Sequence, residues 1–224
     1  MFHLFKEDYL RYLAKAAGVI RGNKEYITEL DSATGDGDHW LNLTIGFEKL
    51  LEKSKEWESV TYQELFQNIA MTMMSAMGGS SGVLYGSAYL KTAGLLENRE
   101  SIDQGLLGEI LQGWAEAIRS RGNAELGYKT MLDAVYPAAS AYAKGLEEGK
   151  DSGECLRQMA RAAREGAEST RDMEAVKGRA SYREDKSVGF LDPGAVTMAM
   201  QLECLADFIL EEDKASAAKD SKQI

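Results

Sequence analysis

The chain of 224 residues carries 36 acidic and 26 basic side chains, a formal net charge of −10, and an ordinary 44% share of hydrophobic residues. That acidity argues against a nucleic-acid partner, because a phosphate backbone needs a basic surface. No run of eighteen apolar residues is present to span a membrane. Cys155 and Cys204 lie far apart with no CxxC pair, and His3 and His39 are the only histidines, which sets zinc aside and points to a reduced, cytoplasmic setting.

The opening MFHLFKEDYLRYLAKAAG mixes charges among apolar residues at helical spacing, so it reads as a helix rather than a secretory signal. Beyond it Ala, Leu, Met, Glu and Lys dominate and only two prolines occur, which favours helix throughout. The spacing predicts helices over roughly 5–21, 23–31, 40–53, 61–77, 82–96, 103–121, 130–148, 151–175 and 194–211. Ile102, Leu106, Ile110, Leu111, Trp114 and Ile118 draw one apolar stripe, and Ala195, Ala199, Leu202, Ala206 and Ile209 another. Asp192 before Pro193 reads as an N-cap followed by a first-turn proline. No segment shows the period-two alternation of a strand.

The expected fold is therefore all-α: an antiparallel barrel or bundle of about eight amphipathic helices, forming one domain over 1–211, with a polar tail at 212–224 that frays. The glycine-dense connections at 34–39, 77–82, 121–130 and 177–194 would share one end of an up-and-down arrangement.

Four of these connections carry residues with chemical potential. In ELDSATGDGDHWLN (29–42), Asp31, Asp36 and Asp38 crowd together with Gly35 and Gly37 between them. Carboxylates so close either sit in a hydrated, helix-capping turn or hold a hard cation such as magnesium. A calcium EF-hand fails, because the twelfth position from Asp36 is Phe47 and not a glutamate.

GGSSG (78–82), with Ser80 and Ser81, opens a helix and is either a phosphate cradle or a capped turn. GNAELGYKT (122–130) imitates a P-loop, but Tyr128 intrudes between Gly127 and Lys129 and a helix precedes it instead of a strand. The P-loop is rejected, while Lys129 and Thr130 stay open as contacts to another phosphate. KGRASYREDKSVGFLDPG gathers Lys177, Arg179, Arg183 and Lys186, a solvated loop or a phosphate contact. No Ser-His-Asp or Cys-His set is present, and a lone loop histidine, His39, suits binding or capping better than catalysis.

In chain order, LDSATGDGDHWLNLTIGF, GGSSGVLYG, SRGNAELGYKTMLDAVYPA and KGRASYREDKSVGFLDPGAV resemble the nucleotide-binding L subunit of dihydroxyacetone kinases, from Leu30 to the last helix. The resemblance implies a barrel of eight antiparallel helices with the nucleotide clasped by loops at one end. It implies that Asp31, Asp36 and Asp38 hold two magnesium ions bridging the phosphates of ADP or ATP. His39, Trp40, Leu41, Asn42, Ser80, Ser81, Gly127, Met131, Arg179, Asp192, Pro193 and Gly194 would line the nucleotide site.

It further implies phosphoryl transfer to dihydroxyacetone held on a separate K subunit, and it allows a homodimer. The favoured version keeps ADP as a bound cofactor recharged by a phosphotransferase-system protein. The alternatives are an ATP-dependent subunit for another small ketose, or a non-catalytic nucleotide-binding adaptor. Trp40 stands where the family pattern has glycine, Tyr128 where it has aspartate and Val83 where it has proline, and Glu184-Asp185-Lys186 alters the usual arginine-bearing turn.

Overall fold

The computed structural model describes residues 2–220, the side chains of 216–220 excepted. Nine helices appear among the described residues: α1 (Lys6–Gly22), α2 (Lys24–Thr34), α3 (His39–Lys53), α4 (Tyr62–Ala76), α5 (Gly79–Leu95), α6 (Gln104–Gly122), α7 (Leu132–Glu147), α8 (Ser152–Ser169) and α9 (Pro193–Asp220). Each matches an expected helix to within a few residues, except at two ends. The eighth stops at Ser169 and passes into a short 3-10 turn, and the ninth runs past the expected end at 211. Residues 221–224 of the expected polar tail lie outside the described residues.

The helix starts follow local chemistry. Thr61 accepts a hydrogen bond from the Glu64 N–H (3.2 Å) and the Glu64 carboxylate accepts one from the Thr61 N–H (2.8 Å), a reciprocal cap on α4. Asp103, Asp151 and Asp192 cap α6, α8 and α9 through the N–H groups of Leu106, Glu154 and Ala195. Pro137 sits inside α7, and Gly166 of α8 packs so close to the freed Asp133 carbonyl that a Cβ there would collide with it.

Eight helices close a ring. α3 packs on α4, α4 on α5, and so on to α9; α1 then packs on both α9 and α3, while α2 makes only small contacts at the corner between α3 and α9. The interior is sealed by apolar side chains and by an aromatic chain running from Tyr62 through Phe66 and Tyr89 to Trp114, whose indole N–H donates to Thr92 (2.7 Å). Strand periodicity missed one small element: β1 (His3–Phe5) pairs antiparallel with β2 (Ser101–Asp103). Three residues are too short for an alternation to register.

Among the described residues no helix is long and apolar enough to cross a membrane, and both Cys155 and Cys204 are buried thiols without a disulfide.

Candidate functional site

The up-and-down ring puts the starts of α3, α5, α7 and α9 at the same end, where they line one cavity of about 590 Å³. Positive helix ends therefore converge on a single space, and at the α5 start no side chain caps the first N–H groups, a setting that favours anions. The loop 170–192 arches over it and contributes Lys177, Gly178, Arg179 and Ala180.

The aspartate turn lies against this cavity. Asp31 occupies the last turn of α2, and its Oδ2 accepts the His39 N–H at 3.0 Å. Asp36 and Asp38 follow in the tight turn, and one carboxylate oxygen from each of the three lies within 4.8 Å of the others. Two glycines permit the arrangement. A Cβ on Gly35 would press on Asp31 Oδ1, and Gly37 has a φ of +76° with Ser32 Oγ beside it. The donor set is all carboxylate oxygen, with no thiolate or imidazole, and suits a hard cation such as Mg²⁺. Arg179 supplies the counter-charge in this state, its Nη1 2.6 Å from Asp36 Oδ2, although the guanidinium is largely exposed.

Twelve of the fifteen residues anticipated from the sequence line the cavity: Asp31, Asp36, Asp38, His39, Asn42, Ser80, Ser81, Met131, Arg179, Asp192, Pro193 and Gly194. Trp40, Leu41 and Gly127 do not. Trp40 turns away into the α1–α2 corner, where its indole N–H donates to the Ile20 carbonyl (3.0 Å) and Lys24 Nζ lies 4.9 Å from the ring centre. The bulky residue at this family glycine position thus closes a helix corner and leaves the cavity untouched. Leu41 is 51% exposed on the outer face of α3. Gly127, at a φ of +88°, shapes the turn before α7 by donating its N–H to Asp133 Oδ1.

Trp40→Gly is expected to leave magnesium-dependent nucleotide affinity within about twofold. It should cost about 2–3 kcal/mol of stability from lost packing and a helical glycine, visible as a lower Tm beside an unchanged binding isotherm.

Lys129 lines the rim but reaches the other way. Its ammonium donates to the carbonyls of Thr170 (2.7 Å), Ser187 (2.7 Å), Phe190 (2.6 Å) and, more weakly, Met173 (3.3 Å). The lysine that looked available to a phosphate is spent on holding the arching loop. Its neighbour Tyr128 is half-buried against the core and accepts the Val176 N–H on its carbonyl. In the altered turn, Asp185 pairs with Arg183 at 2.7 Å, so the departure from the family pattern closes on itself.

Sequence reasoning did not place Leu84, Ile118, Ala124 or Arg121 at the site, where they add an apolar wall and a cation to the cavity. Leu84 and Ile118 look like ordinary core positions in the helical pattern; only the ring closure turns their side chains towards this space.

Burial lowers the His39 pKa against the opposing pull of Asp31 and Asp38, so the imidazole is biased to its neutral form. Burial pushes the Asp192 carboxyl up to about 7, with the Ala195 N–H opposing. It pushes Asp133 up as well, against the N–H groups of Thr130 and Gly127. It pushes Lys129 down, with Asp192 opposing. A bare polyanion would find helix ends and Arg179 attractive but three carboxylates repulsive. A polyanion carrying divalent cations satisfies both sides.

Comparison with known proteins fits this geometry. The DAK2 domain family model matches residues 33–207. The chain is 32% identical over 203 residues to the Escherichia coli (strain K12) PEP-dependent dihydroxyacetone kinase, ADP-binding subunit DhaL, covering 91% of this chain and 97% of that one. It is 35% identical over 203 residues to the Lactococcus lactis PTS-dependent dihydroxyacetone kinase, ADP-binding subunit DhaL, covering 89% and 96%. The dihydroxyacetone kinase from C. freundii, solved in complex with AMP-PNP and Mg²⁺, shares the fold with a TM-score of 0.67 at 24% identity, over 88% of this chain and 33% of that one. The chain belongs to the DAK2-domain family, as an L-type subunit of a dihydroxyacetone kinase.

Proposed function

We propose that the chain holds an adenine nucleotide through magnesium and presents its terminal phosphoryl group to dihydroxyacetone carried by a separate K subunit. The observation that carries this is the meeting, in one cavity, of a three-carboxylate cluster with four helix starts. The printed names of the relatives supply ADP as the nucleotide and the role of a nucleotide-binding subunit. The much longer C. freundii chain is consistent with the rest of the machinery lying outside this fold.

Two magnesium ions fit the charge better than one, since three carboxylates already exceed what a single dication neutralises before any phosphate arrives. Magnesium, when bound, supplies neutralisation of the charge that develops on the transferred group. The chain's own residues do the positioning. Asp31, Asp36 and Asp38 fix the cation end, and the α5 start at Ser80 and Ser81 offers N–H and hydroxyl donors to phosphate oxygens. The apolar wall of Leu84, Ile118, Ala124 and Met131 takes a flat base. Arg179, which pairs with Asp36 here, would be free to turn to the phosphates were cations to hold that carboxylate instead. No acid–base step is assigned to this chain; in this reading the K subunit activates the acceptor hydroxyl.

The ADP-cofactor version, with a phosphotransferase-system protein as donor, draws on the PEP- and PTS-dependent, ADP-binding names of the DhaL relatives, and two buried cysteines without a disulfide suit a cytoplasmic setting. Purified protein should then retain ADP through prolonged dialysis in magnesium buffer and release it on chelation, read by absorbance and nucleotide chromatography. ADP that washes out as fast with magnesium as with chelator sinks the cofactor version.

A further inference from the structure

The cation cluster is tied to the barrel interior through a residue outside every motif considered so far. Thr197, in the second turn of α9, is fully buried, and its Oγ1 lies 2.9 Å from His39 Nε2. The same hydroxyl sits 2.9 Å from the Pro193 carbonyl and 3.3 Å from that of Gly194. A threonine hydroxyl has one proton, and its bond back to the preceding helical turn uses it. With the proton so placed, the oxygen is left to accept from His39, an arrangement that favours the tautomer with the proton on Nε2. His39 is the first residue of α3, and its backbone N–H holds Asp31 Oδ2 at 3.0 Å. On the other side the Gln201 amide donates to the Thr197 carbonyl (2.9 Å) and to the Tyr85 hydroxyl (2.5 Å), so the anchor is fastened to α5 as well.

We propose that Thr197 is a positioning residue for the cation site: its buried hydroxyl pins the His39 ring, and through it the α3 start whose N–H orients the Asp31 carboxylate. This rests on the reading of Asp31 as a magnesium ligand. Partners bonded directly to a metal ligand, as His39 is to Asp31, typically affect metal affinity by 10–100-fold; Thr197 acts one step further out, through His39, so the low end of that range is expected.

The test compares Thr197→Val and Thr197→Ala, which lose the hydroxyl, with Thr197→Ser, which keeps it, using the full chain titrated with ADP at varied magnesium. The valine and alanine variants are expected to need about 10-fold more magnesium or beyond for half-maximal ADP binding, and the serine variant to stay within about 3-fold of wild type. Nitrogen-15 NMR of the imidazoles supplies a second readout, clean because His3 and His39 are the only histidines. Wild type and Thr197→Ser should show His39 protonated at Nε2, the hydroxyl-free variants a tautomer mixture, and His3 should be unchanged in all.

Wild-type magnesium demand in both hydroxyl-free variants overturns the proposal, as does a tautomer mixture in the wild type. ADP binding by the wild type that ignores magnesium overturns the cation-site reading itself, and is told apart because it needs no variant. Two hydroxyl-free variants of different volume guard against one failing to fold.

Discussion

Asp36→Asn is expected to weaken ADP binding in the presence of magnesium by on the order of 100-fold or more, while leaving the barrel intact. The substitution keeps the shape and removes one charge from a cluster whose ligand oxygens lie within 4.8 Å of one another. An amide oxygen is a far poorer ligand for a hard dication than a carboxylate, so the binding loss comes from chemistry and not from a cavity. Fold stability should barely move, because the Asp36–Arg179 pair is exposed and such pairs contribute about 0–1 kcal/mol. Relief of repulsion from Asp31 and Asp38 offsets even that.

Calorimetric titration with Mg-ADP, paired with a thermal melt in metal-free buffer, reads both. The contrast with chelator is decisive. Wild type in chelator should resemble Asp36→Asn in magnesium, and a variant that binds ADP as wild type does removes Asp36 from the site.

The barrel and most of the residues that line the candidate cavity were legible in the sequence because both depend on local signals. Helical periodicity, the Asp192-Pro193 start and the glycine turns are short-range features, and an up-and-down chain with short connections forces alternate loops to one end. That geometry alone gathers Asp36, Ser80, Met131 and Arg179, which are dispersed in the chain. What was not legible is the direction a side chain takes. Trp40 stands beside His39 in sequence, yet consecutive helical residues are about 100° apart, so one faces the cavity and the other the α1 end. Thr197 carries no motif and acquires meaning only when α9 meets α3.

The same reason hid the role of Lys129, whose partners lie 41 to 61 positions further along the chain. Lys129→Met is expected to be the most destabilising of the substitutions considered. It keeps the aliphatic stem and deletes an ammonium that satisfies the carbonyls of Thr170, Met173, Ser187 and Phe190. Charged hydrogen bonds of this kind contribute about 1.5–3 kcal/mol each when broken singly, and they are not additive. A total of about 3–5 kcal/mol is therefore expected, or a Tm lowered by about 6–20 °C for a chain of this size.

The loss should be local before it is global, because these carbonyls belong to the loop that carries Arg179 and Asp192. Trypsin should accordingly cut at Arg179, Arg183 or Lys186 well before it cuts the helices, and Mg-ADP should slow that cleavage by favouring the closed loop. Lys129→Arg should not rescue it, since a planar guanidinium cannot fill a space shaped around one compact ammonium with converging carbonyls. Neither should Lys129→Gly, although glycine would relieve the left-handed backbone at φ +60°. Wild-type proteolysis rates in Lys129→Met would mean that the loop is held by its own turns, with Ser187 bonded to Ala180 and Lys186 to Ser181, and that the lysine merely fills space.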